Sequence, residues 1–221
     1  MDQLIDSNVE NFYKKNESEN YGDTYDSQHA SRIDWVVSRF KLDQLSNQRI
    51  IDIGCGKGNY FKRMGKDNYF VGLDGSITGP KLCDFLSLRV NLNNKFGHLF
   101  DNEEKFDFLI CSETIEHISS IDNIMLEMKK VLKTNGYALF TIPHYSVTHP
   151  VAFPGLFFPE QNFKIFIEQY AWIVEDFAIF ENGWKTCCFL CRNAVMSEQK
   201  PLFPKSESKF LGQNPIDWSN V

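Results

Sequence analysis

Ile50-Ile51-Asp52-Ile53-Gly54-Cys55-Gly56-Lys57-Gly58-Asn59-Tyr60-Phe61 is the stretch on which the reading of this chain turns. A short β-branched run feeds a glycine-rich turn, and the apolar residues beyond it predict the start of a helix. Glycines at alternate positions permit positive φ and let a ligand approach the backbone without meeting a Cβ. A helix starting there would aim its free N–H groups and positive dipole end at the same spot. Phe70-Val71-Gly72-Leu73-Asp74 then reads as a second apolar strand, ending in an acid twenty-two residues after Asp52. A carboxylate at that place accepts hydrogen bonds from the two hydroxyls of a ribose. Together these features predict a nucleoside-cofactor site. The dinucleotide fingerprint G-x-G-x-x-G would need glycine at 59, where the chain has Asn59.

What stands there is Asp-x-Gly-x-Gly-x-Gly, and this resembles the first motif of the class I S-adenosylmethionine-dependent methyltransferases. A second segment carries the same resemblance: Lys105-Phe106-Asp107-Phe108-Leu109-Ile110-Cys111-Ser112-Glu113-Thr114-Ile115-Glu116-His117-Ile118. It is similar to the family's fourth strand and the Glu-x-x-Glu-His that follows it, and Glu113 lies about 55 residues after the glycine loop. The resemblance covers residues 45–192 and is nearest to small-metabolite enzymes such as the ubiquinone-biosynthesis and sugar O-methyltransferase-like groups. It implies a three-layer α/β/α Rossmann-like fold. The sheet would have seven mostly parallel strands closed by an antiparallel C-terminal hairpin, with S-adenosylmethionine at the carboxyl ends of the strands. The implied cofactor residues are Asp52, Gly54, Cys55, Gly56 and Gly58 in the first loop, and Asp74 and Gly75 after the second strand. Asn91 and Leu92 follow the third strand, and Ser112 and Glu113 the fourth. Family members often have an acid where Asn91 stands; the amide oxygen can still accept from an adenine amino group, or end the strand in an Asx turn.

Outside the motifs, residues 1–28 are polar and aperiodic and predict an N-terminal arm, followed by the methyltransferase domain at 29–194 and an extended tail at 195–221. A helix is expected from Ser27, because Ile33, Val36, Val37 and Phe40 recur with helical spacing. In the resembling family such a helix covers the cofactor, which makes Tyr21, Tyr25 and Arg32 candidates by position, against a plain packing role. Breakers at 75–80 leave little room for a second crossover helix. Strands are expected at 85–92, 106–111, 137–143, 173–180 and 186–192. Helices are expected from about Ser120, stopped by Asn135-Gly136 with Lys129, Lys130 and Lys133 in the last turns, and at 163–170. The loop 143–162, with His144, Tyr145, His149, Phe153, Phe157 and Phe158, is long and aromatic enough to form a lid over the acceptor.

The 221 residues, 43% of them hydrophobic with 20 Phe, suit one domain with a full core. A net charge of −6 provides no basic field for nucleic acid or an anionic membrane. With no apolar run long enough to span a bilayer and no leader pattern, a soluble cytoplasmic protein is expected. Six scattered cysteines read as reduced thiols, and Cys188-x-x-Cys191 lacks the second pair that a zinc knuckle needs. Glu113, Glu116 and His117 at i, i+3 and i+4 could share a helical face and hold a metal, as in RNA 2′-O-methyltransferases. The acidic balance argues against that, and no metal is expected. His117, His144 and His149 are candidate general bases, each also capable of a structural hydrogen bond. The expected activity is methyl transfer to a small-molecule or sugar-like oxygen or nitrogen. A metal-dependent RNA enzyme, a nicotinamide-dependent oxidoreductase or epimerase, and a non-catalytic cofactor-binding module stay open. The oligomeric state is not readable from these residues.

Overall fold

Runs rich in Ile, Val, Leu and Phe assemble into one seven-stranded sheet. In the computed structural model, residues 23–75, 84–118, 120–144, 160–182 and 185–195 are described. The strands are β1 (Arg49–Ile53), β2 (Tyr69–Asp74), β3 (Leu86–Arg89), β4 (Phe106–Ser112), β5 (Leu132–Pro143), β6 (Trp172–Glu181) and β7 (Lys185–Asn193). Their order is β3-β2-β1-β4-β5-β7-β6. Every pairing from β3 across to β5 is parallel, and β7 runs antiparallel to both its neighbours. The expected mostly parallel sheet with a C-terminal hairpin is what forms.

Parallel strands buried on both faces read as near-continuous apolar runs, and β1 and β4 do. Ile51, Ile53, Leu109 and Cys111 point into one cluster, filled by Ile124, Met125 and Met128 of helix α2 (Ile121–Val131). Phe163 and Ile167 of helix α3 (Glu160–Glu168) join them. Ile50, Phe108 and Ile110 point the other way, toward Ile33, Val36 and Val37 of helix α1 (Asp23–Arg39). Side chains such as Ile53 and Leu109 are fully buried, each worth about 1.5–3 kcal/mol of apolar transfer. The parity of β1 therefore supplies two cores from five residues.

The order places β1 between β2 and β4, and the chain leaves β1 toward one edge of the sheet and β4 toward the other. At such a reversal the loops after the two strands diverge and leave a crevice at their carboxyl ends. The loop after Ile53 and the loop after Ser112 line it.

Several local expectations give way to tertiary context. No regular helix follows the glycine loop; residues 56–63 form successive turns. Gly54, Gly56 and Gly58 have φ of 78°, 50° and 70°, and Lys62 and Met64 make only isolated i−4 bonds, to Gly58 and Tyr60. The left-handed backbone at Gly58 breaks the helical path, so no long helix dipole is aimed at the crevice. Helix α1 starts at Asp23, inside the stretch read as an arm. Helix α2 ends at Val131 rather than at Asn135-Gly136, with Leu132 already extended. Leu132 pairs with Phe106 and Tyr137 with Phe108, so Lys133, Thr134, Asn135 and Gly136 bulge out of β5. Asn135 takes the positive φ, 63°, that a bulge needs, which is why that dipeptide imitates a helix stop. Strand β3 is shorter than expected, and helix α3 begins three residues early. The arm before 23, Tyr21, the tail from 196, most of the breaker segment, and the aromatic lid with Tyr145, His149, Phe153, Phe157 and Phe158 lie outside the described residues. The side chain of Tyr25 does as well.

Gly72 of β2 shows how tightly the crevice floor is filled. A Cβ there would lie 2.6 Å from Cys55 Sγ and 2.8 Å from Phe85 Cε2. Gly72→Ala is expected to destabilise by about 1–3 kcal/mol, the usual cost of overpacking. Urea denaturation checks this through a lower midpoint at unchanged slope; an unaltered midpoint would show that the floor yields.

Candidate active site

Thr114 closes the crevice between β1 and β4. Its hydroxyl lies 3.2 Å from the Ile53 carbonyl oxygen and 3.0 Å from that of Ser112, joining the ends of the two strands. A Cβ on Gly54 would lie 2.1 Å from the same hydroxyl oxygen, so only glycine fits beneath it. The N–H groups of Gly54 and Cys55 both donate to the Leu73 carbonyl, at 2.7 and 3.1 Å, and fasten the loop to β2. Cys55 is buried with its sulfur over Gly72, so its contribution to the crevice is backbone. Among the described residues, a Cβ on Gly56 would meet nothing within 4 Å, so none of their side chains covers the loop there.

Asp74 ends β2 beside that opening. Its Oδ2 accepts the Gly56 N–H at 2.8 Å, which holds the carboxylate at the rim of the glycine loop. Gly75 follows it directly. Asp52 lies under the loop and is 2% exposed, and its Oδ2 has no hydrogen-bond partner among the described residues. Burial first, and Asp74 second, push its carboxyl from 3.8 up to about 8. Open backbone over three positive-φ glycines with a carboxylate at the next strand end suits a nucleoside with two adjacent hydroxyls. The observed cradle thus fits the cofactor that the motif implies.

The fourth strand brings a second polar group. Glu113 has φ of 49°, its N–H bonds the Thr141 carbonyl at 2.9 Å, and its Oε1 accepts the Thr141 hydroxyl at 3.2 Å. Arg32 of α1, 3% exposed, brings NH1 to 2.8 Å from that oxygen, close in distance though off the N–H axis of a hydrogen bond. Burial opposes the charge on Arg32, and Glu113, Tyr60 and Glu116 offset it, so the guanidinium stays ionised. Ser112 Oγ lies 2.7 Å from Thr141 Oγ1 and 3.0 Å from the Tyr60 hydroxyl. The expected shared helical face of Glu113, Glu116 and His117 does not form. Glu113 precedes a single 3-10 turn, Ile115–His117, and Glu116 turns inward to 1% exposure. Burial and the charge of Glu113 raise the Glu116 carboxyl well above the carboxylate range. His117 Nε2 stands 3.9 Å from Glu116, too far for a hydrogen bond. Among the described residues, no group of three His, Cys, Asp or Glu is arranged to hold a metal.

At the remaining strand ends, Asn91 uses its side-chain oxygen to accept the Asn93 N–H at 3.0 Å, the Asx turn that is the alternative to meeting adenine. Leu92 is buried in the core cluster shared by α2. His144 follows Pro143, and its N–H bonds the Lys185 carbonyl at 2.9 Å, extending the β5–β7 ladder to the carboxyl edge. Cys187, Cys188 and Cys191 are buried thiols in β7. Sequence reasoning does not single out Thr114, Thr141 or Tyr60. An Asp-x-Gly loop followed by Ser-Glu-Thr contains no local pattern that foretells a contact across 61 positions.

A model of the family described as "Methyltransferase domain" matches residues 25–177, more than half of the chain. The chain belongs to this family. Its fold is shared with S-adenosylmethionine-dependent methyltransferases. The ubiquinone biosynthesis O-methyltransferase of Rickettsia typhi is 26% identical over 117 residues, 50% of this chain and 48% of that protein. The tRNA U34 carboxymethyltransferase of Sulfurimonas denitrificans is 30% identical over 131 residues, 56% of this chain and 44% of that one. The chain thus spans about half the length of the curated relatives it matches. Among solved structures, the magnesium protoporphyrin IX methyltransferase of Synechocystis PCC 6803 with bound SAH matches with a TM-score of 0.59 at 14% identity. The match covers 75% of this chain and 84% of that one, a likeness of fold.

Because Asp52 holds a proton in the folded methyltransferase that the unfolded chain releases, stability falls as pH rises from 3.8 and the loss is complete above about 8. Asn cannot ionise. Asp52→Asn is expected to gain at least about 1.4 kcal/mol on its parent between acidic and alkaline pH, the free energy of a tenfold change in proton affinity. Urea titrations at both ends of that window check it; parallel pH profiles would show that Asp52 ionises freely.

Proposed function

We propose that this chain moves a methyl group from S-adenosylmethionine to an oxygen or nitrogen of a small-molecule acceptor. The observation that carries the reading is the cradle at the switch point: bare glycine backbone, with Asp74 at its rim. Family membership supports the reaction type, and ubiquinone-pathway relatives support a small acceptor. When bound, the cofactor supplies an electrophilic methyl on a positively charged sulfur. The glycine loop and Asp74 bind and orient its nucleoside. Ser112 and Glu113 face the same end of the sheet, and the negative carboxylates there favour a cationic ligand.

Displacement at carbon needs donor and acceptor in line, so alignment supplies most of the rate. A hydroxyl acceptor must also lose a proton, and a histidine suits that task near neutral pH. His144 directly follows β5, the strand next to β4, and is assigned first. His117 closes the 3-10 turn after the buried Glu116 and is the weaker base candidate; His149 belongs to the loop outside the described residues. The net charge of −6 supports an acceptor other than nucleic acid. Among the described residues no helix is long and apolar enough to cross a membrane. Action in the cytoplasm, without a metal, completes the reading.

Two measurements test it. In calorimetry S-adenosylhomocysteine is expected to bind at micromolar level, about −8 kcal/mol, and Asp74→Ala to weaken it by about 2–3 kcal/mol through loss of a charged acceptor. Equal affinity of variant and parent would remove Asp74 from the ribose.

Acceptor class is read by transfer of labelled methyl from the cofactor. Label is expected in a small-metabolite extract, at least tenfold above that in total tRNA, about 1.4 kcal/mol of discrimination. Label in tRNA alone would favour the kind of acceptor named for the Sulfurimonas relative.

A further inference from the structure

Among the described residues, Glu113 is the one acidic side chain at the carboxyl edge held in left-handed backbone by a neighbouring strand and a distant helix together. Its φ of 49° lies in the left-handed region that glycine and asparagine take more readily than glutamate. Three contacts secure it. The Thr141 carbonyl takes its N–H, the Thr141 hydroxyl donates to Oε1, and Arg32 reaches Oε1 from α1.

A carboxylate only accepts, which sets the direction of the hydroxyl chain behind it. Thr141 spends its proton on Glu113, so Ser112 donates to Thr141, and the Tyr60 hydroxyl donates to Ser112. Tyr60 belongs to the turns after the glycine loop, Ser112 to β4, Thr141 to β5 and Arg32 to α1. One connected polar path therefore joins four separate parts of the chain beneath the crevice. Thr141 is fully buried, and Tyr60 and Arg32 nearly so. Both anchoring contacts fall on Oε1, which leaves Oε2 of a side chain that is 14% exposed to meet a ligand.

We infer that Arg32 and Thr141 are positioning residues for Glu113: they tie down one carboxylate oxygen and present the other to the bound cofactor. Seating of α1 on the sheet and shaping of the crevice are then a single event, with Arg32 as the link. The inference rests on the reading of this crevice as the S-adenosylmethionine site.

The test is calorimetry of the full chain with S-adenosylhomocysteine, on Thr141→Val, Thr141→Ser and Arg32→Met, each also made with Glu113→Ala. Thr141→Val and Arg32→Met are expected to weaken binding about tenfold, and Thr141→Ser, which restores the hydroxyl, less than about twofold. With Glu113→Ala present, neither Thr141→Val nor Arg32→Met should add more than about twofold, because what they position is gone. The same loss in both backgrounds would overturn the inference, since a general packing defect ignores Glu113. If Arg32→Met does not fold, the near-isosteric Thr141→Val decides alone. Absence of binding by the parent would defeat the cofactor reading itself. The clamp is then read by amide hydrogen exchange without ligand: Thr141→Val should speed exchange in α1 about tenfold. Unchanged exchange there would overturn it.

Discussion

The Thr114 hydroxyl beneath Gly54 is the contact on which the ligand end of this protein depends. It bridges the last carbonyls of β1 and β4, the two strands whose outgoing chains part company. Its single proton serves one of these carbonyls at a time, and buried polar groups are costly when unpaired. The hydroxyl fits only because Gly54 has no Cβ. One side chain thus explains why the loop begins with glycine. The spacing of the strand ends is set by the β1–β4 ladder, which runs to Ile53 and Cys111.

The electrostatics of the crevice are those of acids crowded into low dielectric. Asp52, Asp74, Glu113 and Glu116 share the region with the buried guanidinium of Arg32. Burial and a neighbouring carboxylate push the deepest groups, Asp52 and Glu116, above the ordinary carboxylate pKa. Asp74 stands at the rim of the glycine loop and Glu113 beside Arg32. A ligand with a cationic centre and a neutral diol is the kind that such an arrangement attracts rather than repels. Arg32 brings its buried guanidinium to 2.8 Å from Glu113.

The helix missing after the glycine loop changes how the loop binds. A regular helix would have offered a dipole and a row of free N–H groups to a phosphate. Here the Gly56 N–H is taken by Asp74, and the chain continues in turns. A loop of this kind suits an uncharged sugar edge better than a pyrophosphate, in accord with a cofactor that carries no phosphate. The absence of glycine at 59 and the turn geometry at Gly58 point the same way.

The sequence by itself determined the family, the strand sequence and the ligand end of the sheet. Those are written in local signals: β-branched runs of two-sided hydrophobicity, a glycine spacing, and acids at strand ends. Gly54, Gly56, Gly58 and Asp74 were legible because each performs a backbone or strand-end task that a neighbouring motif announces. Tertiary structure alone decided the rest. Asn135-Gly136 reads as a helix stop, yet serves a bulge, because both need positive φ and only strand pairing tells them apart. Glu113, Glu116 and His117 have helical spacing, yet the Glu113 N–H is claimed by β5, so the turn starts too late for a shared face. Arg32 was legible as a candidate by position, but its pairing with Glu113 was not, since that partner is 81 positions away, just past β4. Spacing along a chain reports what neighbours do to one another. Which buried charges meet is settled by packing, where the low dielectric makes each pairing decisive.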